Sequence, residues 1–213
     1  MRNKFDEQLN LLNQKLNEMC AAIEQSISGA VTAITKNNTE LAKEVIEATG
    51  DIQSREREIE ALCLKLLLQQ QPVARDLRTI SAALKMITDM RRIGTQAADI
   101  CEIALTSENV LSDTLPELLR EMALETIAMV NKSIDAFIRK DLDLAYAVAR
   151  EDEKVDNLFI EIKNKLIESI KATDGSDRSI DILMIAKYLE KIGDHANNIA
   201  EWVAFSITGG HRE

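Results

Sequence analysis

Aromatic residues are scarce in this chain: one Trp, two Tyr and four Phe. Sheets favour aromatic and β-branched residues, so this scarcity, with Ala, Leu, Ile, Glu and Lys dominant, disfavours strand and favours helix. Only two prolines interrupt 213 residues. The three cysteines, Cys20, Cys63 and Cys101, are odd in number, far apart and without a CxxC pair. A disulfide framework and a zinc knuckle are thereby excluded, and the thiols read as reduced packing residues of a cytoplasmic protein. No long apolar run is present. The most apolar stretch, "LCLKLLL", is short and holds a lysine, so neither a signal peptide nor direct membrane insertion is expected. Positive charge is in deficit as well. The net charge of −10 repels phosphate backbones and argues against nucleic acid as the main partner.

What is present is helical periodicity. Phe5, Leu9, Leu12, Leu16, Met19, Ile23, Ile27, Ala30 and Ile34 recur at spacings of four and three. This is one long amphipathic helix with a heptad-like seam, broken by "KNN" near residue 37. A second helix carries Leu41, Val45, Ile52, Ile59, Leu62 and Leu66 and ends at "QQQP", because Pro72 cannot continue it. A third carries Leu77, Ile80, Leu84, Ile87, Ile93, Ala97 and Ile100. After the turn-rich "TSENVLSDTLP", in which Pro116 suits a first helical turn, three more helices are predicted at 116–139, 142–171 and 178–207. "KD" at 140–141 and "TDGSD" at 173–177 separate them.

The second three helices repeat the first three. Shifting helix 2 by 103 residues brings Leu41, Val45, Ile52 and Ile59 onto Leu144, Val148, Val155 and Ile162. Shifting helix 3 by 99 lays "RRIGTQAADICE" on "EKIGDHANNIAE". The expected fold is all-α: two tandem three-helix bundles, one over 1–107 and one over 115–213, with antiparallel neighbours joined by short turns. Gly94 and Gly193 recur at the same place in the repeat. A mid-helix glycine costs about 1 kcal/mol relative to alanine. Close helix approach is one reason for it, and room for a ligand beside the backbone is another.

Chemistry concentrates in the second repeat. Asp152 and Asp156 lie i, i+4 on helix 5, and Glu190 and Asp194 lie i, i+4 on helix 6. Each pair shares a helix face, and the two pairs come level to within about one turn at 1.5 Å per residue. Solvated faces carry such pairs as well. Asp152, however, sits on the otherwise apolar line Ala145, Phe159, Leu166, where a carboxylate needs a partner. Converging carboxylates repel and call for protons, basic groups or a cation; oxygen ligands suit Mg, Ca, Mn or Fe, with Zn admissible. Asn198, one turn past Asp194, is a further candidate oxygen ligand. The matching first-repeat positions are Thr49, Gln53, Arg91 and Thr95, so no equivalent metal site is expected there. Arg91 is expected to pair with Asp99 or another nearby acid. His195 is not in the Glu-x-x-His spacing of di-iron bundles and reads as a packing or hydrogen-bonding residue. Tyr188, Trp202 and Phe205 read as core, with partner contact the alternative. Arg75 and Arg78 open helix 3, where the macrodipole disfavours cations. They either reach a partner's acids or a phosphate, or belong to a tight interhelical turn.

"QQQPVARDLRTISAALKM" (69–86), "RRIGTQAADI" (91–100) and "LEKIGDHANNIAEW" (189–202) resemble the PhoU family of phosphate-transport accessory regulators. The resemblance spans essentially the whole chain. It implies two similar three-helix bundles, a cytoplasmic and often dimeric protein, and no enzymatic activity. It also implies partnership with the phosphate ABC transporter ATPase subunit and a sensor histidine kinase. The outcome would be restraint of uptake and repression of the phosphate-starvation response. Multinuclear iron or zinc clusters held by paired acids are further implied, and here those acids are Asp152 with Asp156 and Glu190 with Asp194. The sequence departs from the family where Thr49, Gln53, Arg91 and Thr95 replace acids. Two alternatives stand beside the adaptor: a metal-dependent carboxylate-bundle enzyme, and a metal-buffering helical protein.

Overall fold

The computed structural model describes residues 2–69, 73–106, 117–172 and 177–210. Pro72, the whole 107–116 break with Pro116, residues 173–176 and His211 lie outside them. The elements are α1 (Arg2–Lys36), α2 (Thr39–Gln69), α3 (Ala74–Thr106), α4 (Glu117–Arg139), α5 (Leu142–Ala172) and α6 (Asp177–Thr208). Among the described residues every element is a helix.

Each helix forms because its apolar residues return at the helical period and find a shared core. The α1 seam is buried along its length, from Phe5 to Ile34, with Leu9 partly covered. Val45, Ile52, Ile59 and Leu66 of α2 and Ile80, Ile87, Ile93 and Ile100 of α3 close on it. Leu77 departs from the expected seam. It stands in the first turn of α3 and is half exposed.

The turns repeat along with the helices. Asn37 and Lys140, 103 positions apart, both adopt a left-handed conformation with φ of 52° and 53°. The residue after each donates its amide back to the preceding helix, Asn38 to the Ala33 carbonyl and Asp141 to the Ala136 carbonyl, both at 3.0 Å. The same residues then cap the following helix. The Asn38 side chain accepts from the Leu41 amide at 3.1 Å, and the Asp141 side chain from the Leu144 amide at 3.0 Å. One residue thus satisfies orphan groups of both helices.

Within each repeat all three helices pack on one another. Between repeats the main contact is α3 against α6, supported by α1 against α4. The two repeats share one continuous apolar core. α2 and α5 touch only helices of their own repeat and form the flanks. The α5–α6 face that carries the paired acids is therefore a flank of the molecule, whereas the α3–α6 face is its centre.

Candidate functional site: a carboxylate face and an internal polar seam

α6 presents different chemistry to its two neighbours. Toward α5 run Glu190, Asp194, Asn197 and Glu201, spaced by four, three and four. Asp152 meets this line at half burial. The Asn197 amide donates to Asp152 Oδ2 at 3.3 Å. Burial, then the charges of Asp156, Asp194, Glu190 and Glu201, push the Asp152 carboxyl up to about 6. Burial with Glu190 and Asp194 also raises Asp156. The four acids singled out in the sequence thus feel one another across α5 and α6.

Two lysines temper that repulsion. Lys187 is paired with Glu190, and Lys191 donates to Asp194 at 2.5 Å. Both are i, i+3 on α6 itself. Among the described residues no three His, Cys, Asp or Glu side chains are gathered tightly enough to hold a metal ion. The donor set nevertheless suits a hard cation: carboxylate oxygens, half withdrawn from water, with one carboxyl raised by burial and by its acidic neighbours. Lys187 and Lys191 occupy the acids that such an ion would need.

Toward α3, α6 presents His195 and Asn198. His195 Nδ1 lies 2.8 Å from Asp89 Oδ1, and Asn198 donates to the same oxygen at 3.3 Å. Asp89 of the first repeat is thereby held by two residues of the second. His195 is a hydrogen-bonding residue of the seam, as its sequence position suggests. Asn198 is not a ligand candidate on the carboxylate face; Asn197, one residue earlier, faces Asp152. Further along the seam Trp202 packs edge-on against Phe205 with centroids 5.7 Å apart, and the Lys85 ammonium lies 5.9 Å from the indole centroid.

The glycines part company. A Cβ on Gly94 would lie 2.6 Å from Ile52 Cδ1 and 3.4 Å from Ile23 Cδ1, so any side chain there would have to push Ile52 aside within the α2–α3 contact. A Cβ on Gly193 would meet Val155 Cγ1 at 3.5 Å, Asp152 Oδ1 at 3.6 Å and Met129 Sδ at 3.7 Å, all ordinary contacts. Close packing therefore explains Gly94 and does not demand Gly193. The space at Gly193 adjoins the Asp152 carboxylate.

The PhoU domain model matches residues 16–104 and again 119–203, one copy on each bundle. The chain belongs to the PhoU family. It is 31% identical over 207 residues to the phosphate-specific transport system accessory protein PhoU of Serratia marcescens, covering 97% of this chain and 85% of that protein. The PhoU homolog of Clostridium acetobutylicum is 32% identical, with 98% and 96% covered. A crystal structure of PhoU from Pseudomonas aeruginosa superposes with a TM-score of 0.92 at 31% identity, covering 97% of this chain and all of that one. The two-bundle PhoU architecture is thus the fold of this chain.

Within this PhoU chain the first-repeat counterpart of the carboxylate face is occupied differently. Arg91 is paired with Glu56 at 2.9 Å rather than with Asp99. Thr95 donates to its own helix, to the Arg91 carbonyl at 3.1 Å. Thr49 Oγ1 is buried without a hydrogen-bond partner among the described residues, and Gln53 faces solvent. Sequence reading missed Lys187, Lys191 and Asn197. The lysines were visible as i, i+3 neighbours of the acids; Asn197 was visible as the residue three after Asp194. No helix of the described residues is long and apolar enough to cross a membrane.

Proposed function

We propose that this chain is a non-catalytic accessory protein of a phosphate-specific transport system. It would act in the cytoplasm, as a homodimer, on the transporter ATPase subunit and on a phosphate sensor histidine kinase. Its effect would be to restrain uptake and to repress the starvation response when phosphate is ample. The observation that carries this reading is the double PhoU match along nearly the whole chain, with relatives named as accessory proteins of phosphate transport.

The side-chain chemistry supports the absence of catalysis. All three cysteines are buried, with their thiols raised to about 12, which removes them as nucleophiles. His195 is engaged between helices by Asp89. A cation, iron or zinc in the family pattern or else Mn, Mg or Ca, would be held by Asp152, Asp156, Glu190 and Asp194. Bound there it supplies positive charge that relieves the carboxylate repulsion. The chain's part is to free Glu190 and Asp194 from Lys187 and Lys191 and to hold Asp152 through Asn197.

The test is a pull-down of the purified chain with the ATPase subunit and with the kinase cytoplasmic domain. It is run with metal, with chelator and with the quadruple alanine variant at Asp152, Asp156, Glu190 and Asp194. Metal-sensitive capture makes the carboxylate face part of the regulatory contact. Capture indifferent to metal keeps the accessory role and reduces the face to structure. Capture of neither partner overturns the accessory reading in favour of metal buffering or metal-dependent catalysis.

A further inference from the structure

A cavity of about 420 Å³ lies between the repeats, lined from α1, α3, α4, the turn after α4, and α6. Three cationic residues border it: Arg75 and Arg78 from the first turns of α3, and Lys140 from the turn that closes α4. None of the three has an ion-pair partner among the described residues, although acids outnumber bases in the chain by 36 to 26.

Arg78 is the telling residue. Its Nε is fully buried and has no hydrogen-bond acceptor among the described residues. A desolvated donor without an acceptor is costly and uncommon in folded proteins. The side chain is also fixed in place. It lies against the backbone of Gly209, where a Cβ would sit 3.3 Å from Arg78 Cδ, Nε and one terminal nitrogen. Gly209 can offer that bare surface because it ends α6 with φ of 82°. Lys140 stands at the left-handed position of the α4–α5 turn. The cations are thus brought to the cavity by the start of α3 and the α4–α5 turn, with Arg78 packed against the end of α6. The α3 N-terminus adds its own positive dipole end at the same place.

Apart from the neutral amide of Asn13, the rest of the lining is apolar or already satisfied. Met86, Phe137, Val203 and Ile207 line the cavity. The Thr79 hydroxyl donates to the Arg75 carbonyl and the Ser206 hydroxyl to the Val203 carbonyl. Recognition of charge thus falls to the three cations. The volume lies within the range of about 300–1,000 Å³ typical of small-molecule sites, and bare inorganic phosphate would leave most of it unfilled.

We propose that this inter-repeat cavity binds a small phosphorylated organic molecule, its phosphate on Arg75, Arg78 and Lys140 and its apolar body on Phe137 and Met86. Arginine forks match phosphate oxygens bidentately, and three cations favour a group carrying more than one negative charge. A monocarboxylate supplies too little charge, and inorganic phosphate has no body to fill the apolar part. The proposal does not depend on the accessory role and stands or falls by binding to the purified chain alone.

Isothermal titration of the full chain with phenyl phosphate, AMP, inorganic phosphate and benzoate tests it. Phenyl phosphate or AMP should bind one per chain, at least ten-fold more tightly than inorganic phosphate or benzoate, and more weakly as salt is raised. Arg78→Gln and Lys140→Gln should each weaken that binding at least ten-fold, while Arg150→Gln on exposed α5 leaves it unchanged. Thermal melts confirm that each variant folds; should Arg78→Gln fail to fold, Lys140→Gln on the exposed turn carries the test. No binding by either organic phosphate at millimolar concentration overturns the proposal, as does binding that survives both substitutions. Equal affinity for inorganic phosphate overturns the organic-ligand assignment. Capture of an acidic peptide through Arg78, with no small anion bound, overturns it in favour of protein docking.

Discussion

The α2–α3 and α5–α6 faces descend from the same repeat and have been filled in opposite ways. In the first, Ile52 enters the gap above Gly94, and Arg91 neutralises Glu56. In the second, the position of Ile52 holds Val155, one methylene shorter, and the gap above Gly193 opens beside Asp152. One face is packed and charge-paired across helices. The other is looser, and its cations, Lys187 and Lys191, ion-pair with Glu190 and Asp194 on their own helix rather than across to α5. The difference teaches that the repeat without the four acids is also the one without open space at its glycine.

The sharpest way to break this comparison is to graft the acids. Thr49→Asp, Gln53→Asp, Arg91→Glu and Thr95→Asp together would set Glu56 against a new acid and remove its cation. Without divalent ions the variant should lose about 2–4 kcal/mol in urea denaturation. Added Mn²⁺ should not restore it, because Ile52 still fills the gap. Full restoration by Mn²⁺ would show that the four acids alone make the site.

Next in size is Gly94→Ala. Overpacking against Ile52 should cost about 1–3 kcal/mol, and the loss should shrink in an Ile52→Val background, which removes the clashing methyl. An equal loss in both backgrounds would remove Ile52 as the reason for the glycine.

Asp152→Asn probes the other face. A carboxyl raised in the folded state binds more protons folded than unfolded. Stability therefore falls as pH rises from the ordinary Asp value of 3.8 to about 6, and stays low above it. The variant should gain about 1 kcal/mol at pH 7, after allowance for solvent screening, and lose the advantage by pH 4. Thermal melts across that range check the sign. A constant difference at all pH values would remove titration of Asp152 as its source.

The smallest expected effect is at Gly193. Since a Cβ fits there, Gly193→Ala should stabilise by about 0.5–1 kcal/mol through helix propensity, the reverse of Gly94→Ala. Loss of stability would mean that α5 and α6 are already in tight contact at that point.

The architecture was legible because helical period, cap and turn residues all agree. Leu12, Leu16, Met19 and Ile23 announce one face, and Asn38 and Asp141 announce two identical corners. The four acids were legible as two pairs, and the structure brings them into mutual electrostatic reach. Their surroundings were less so. Asn197 and Asn198 differ by only 100° around α6, and which one faces Asp152 depends on where α5 and α3 divide that helix between them. Glu56 could not be singled out as the partner of Arg91, because Asp99 is far nearer in sequence and only the crossing of α2 and α3 decides the pair. The cavity at Arg78 depends on residues separated by more than a hundred positions, which no local pattern links.

The corners at Asn37–Asn38 and Lys140–Asp141 bear on the order in which the chain assembles. Each hairpin closes over a turn of a few residues, so α1–α2 and α4–α5 can zip early and independently at little entropic cost. The Asp89–His195 seam instead joins residues 106 apart and, with Asp89–Asn198 at 109, closes the longest loops in the polar network of the described residues. Seam amides of α3 and α6 should accordingly gain protection from hydrogen exchange after those of the two hairpins. A translation pause before α6 would leave the first bundle formed, with its α3 surface still waiting for the helix that covers it.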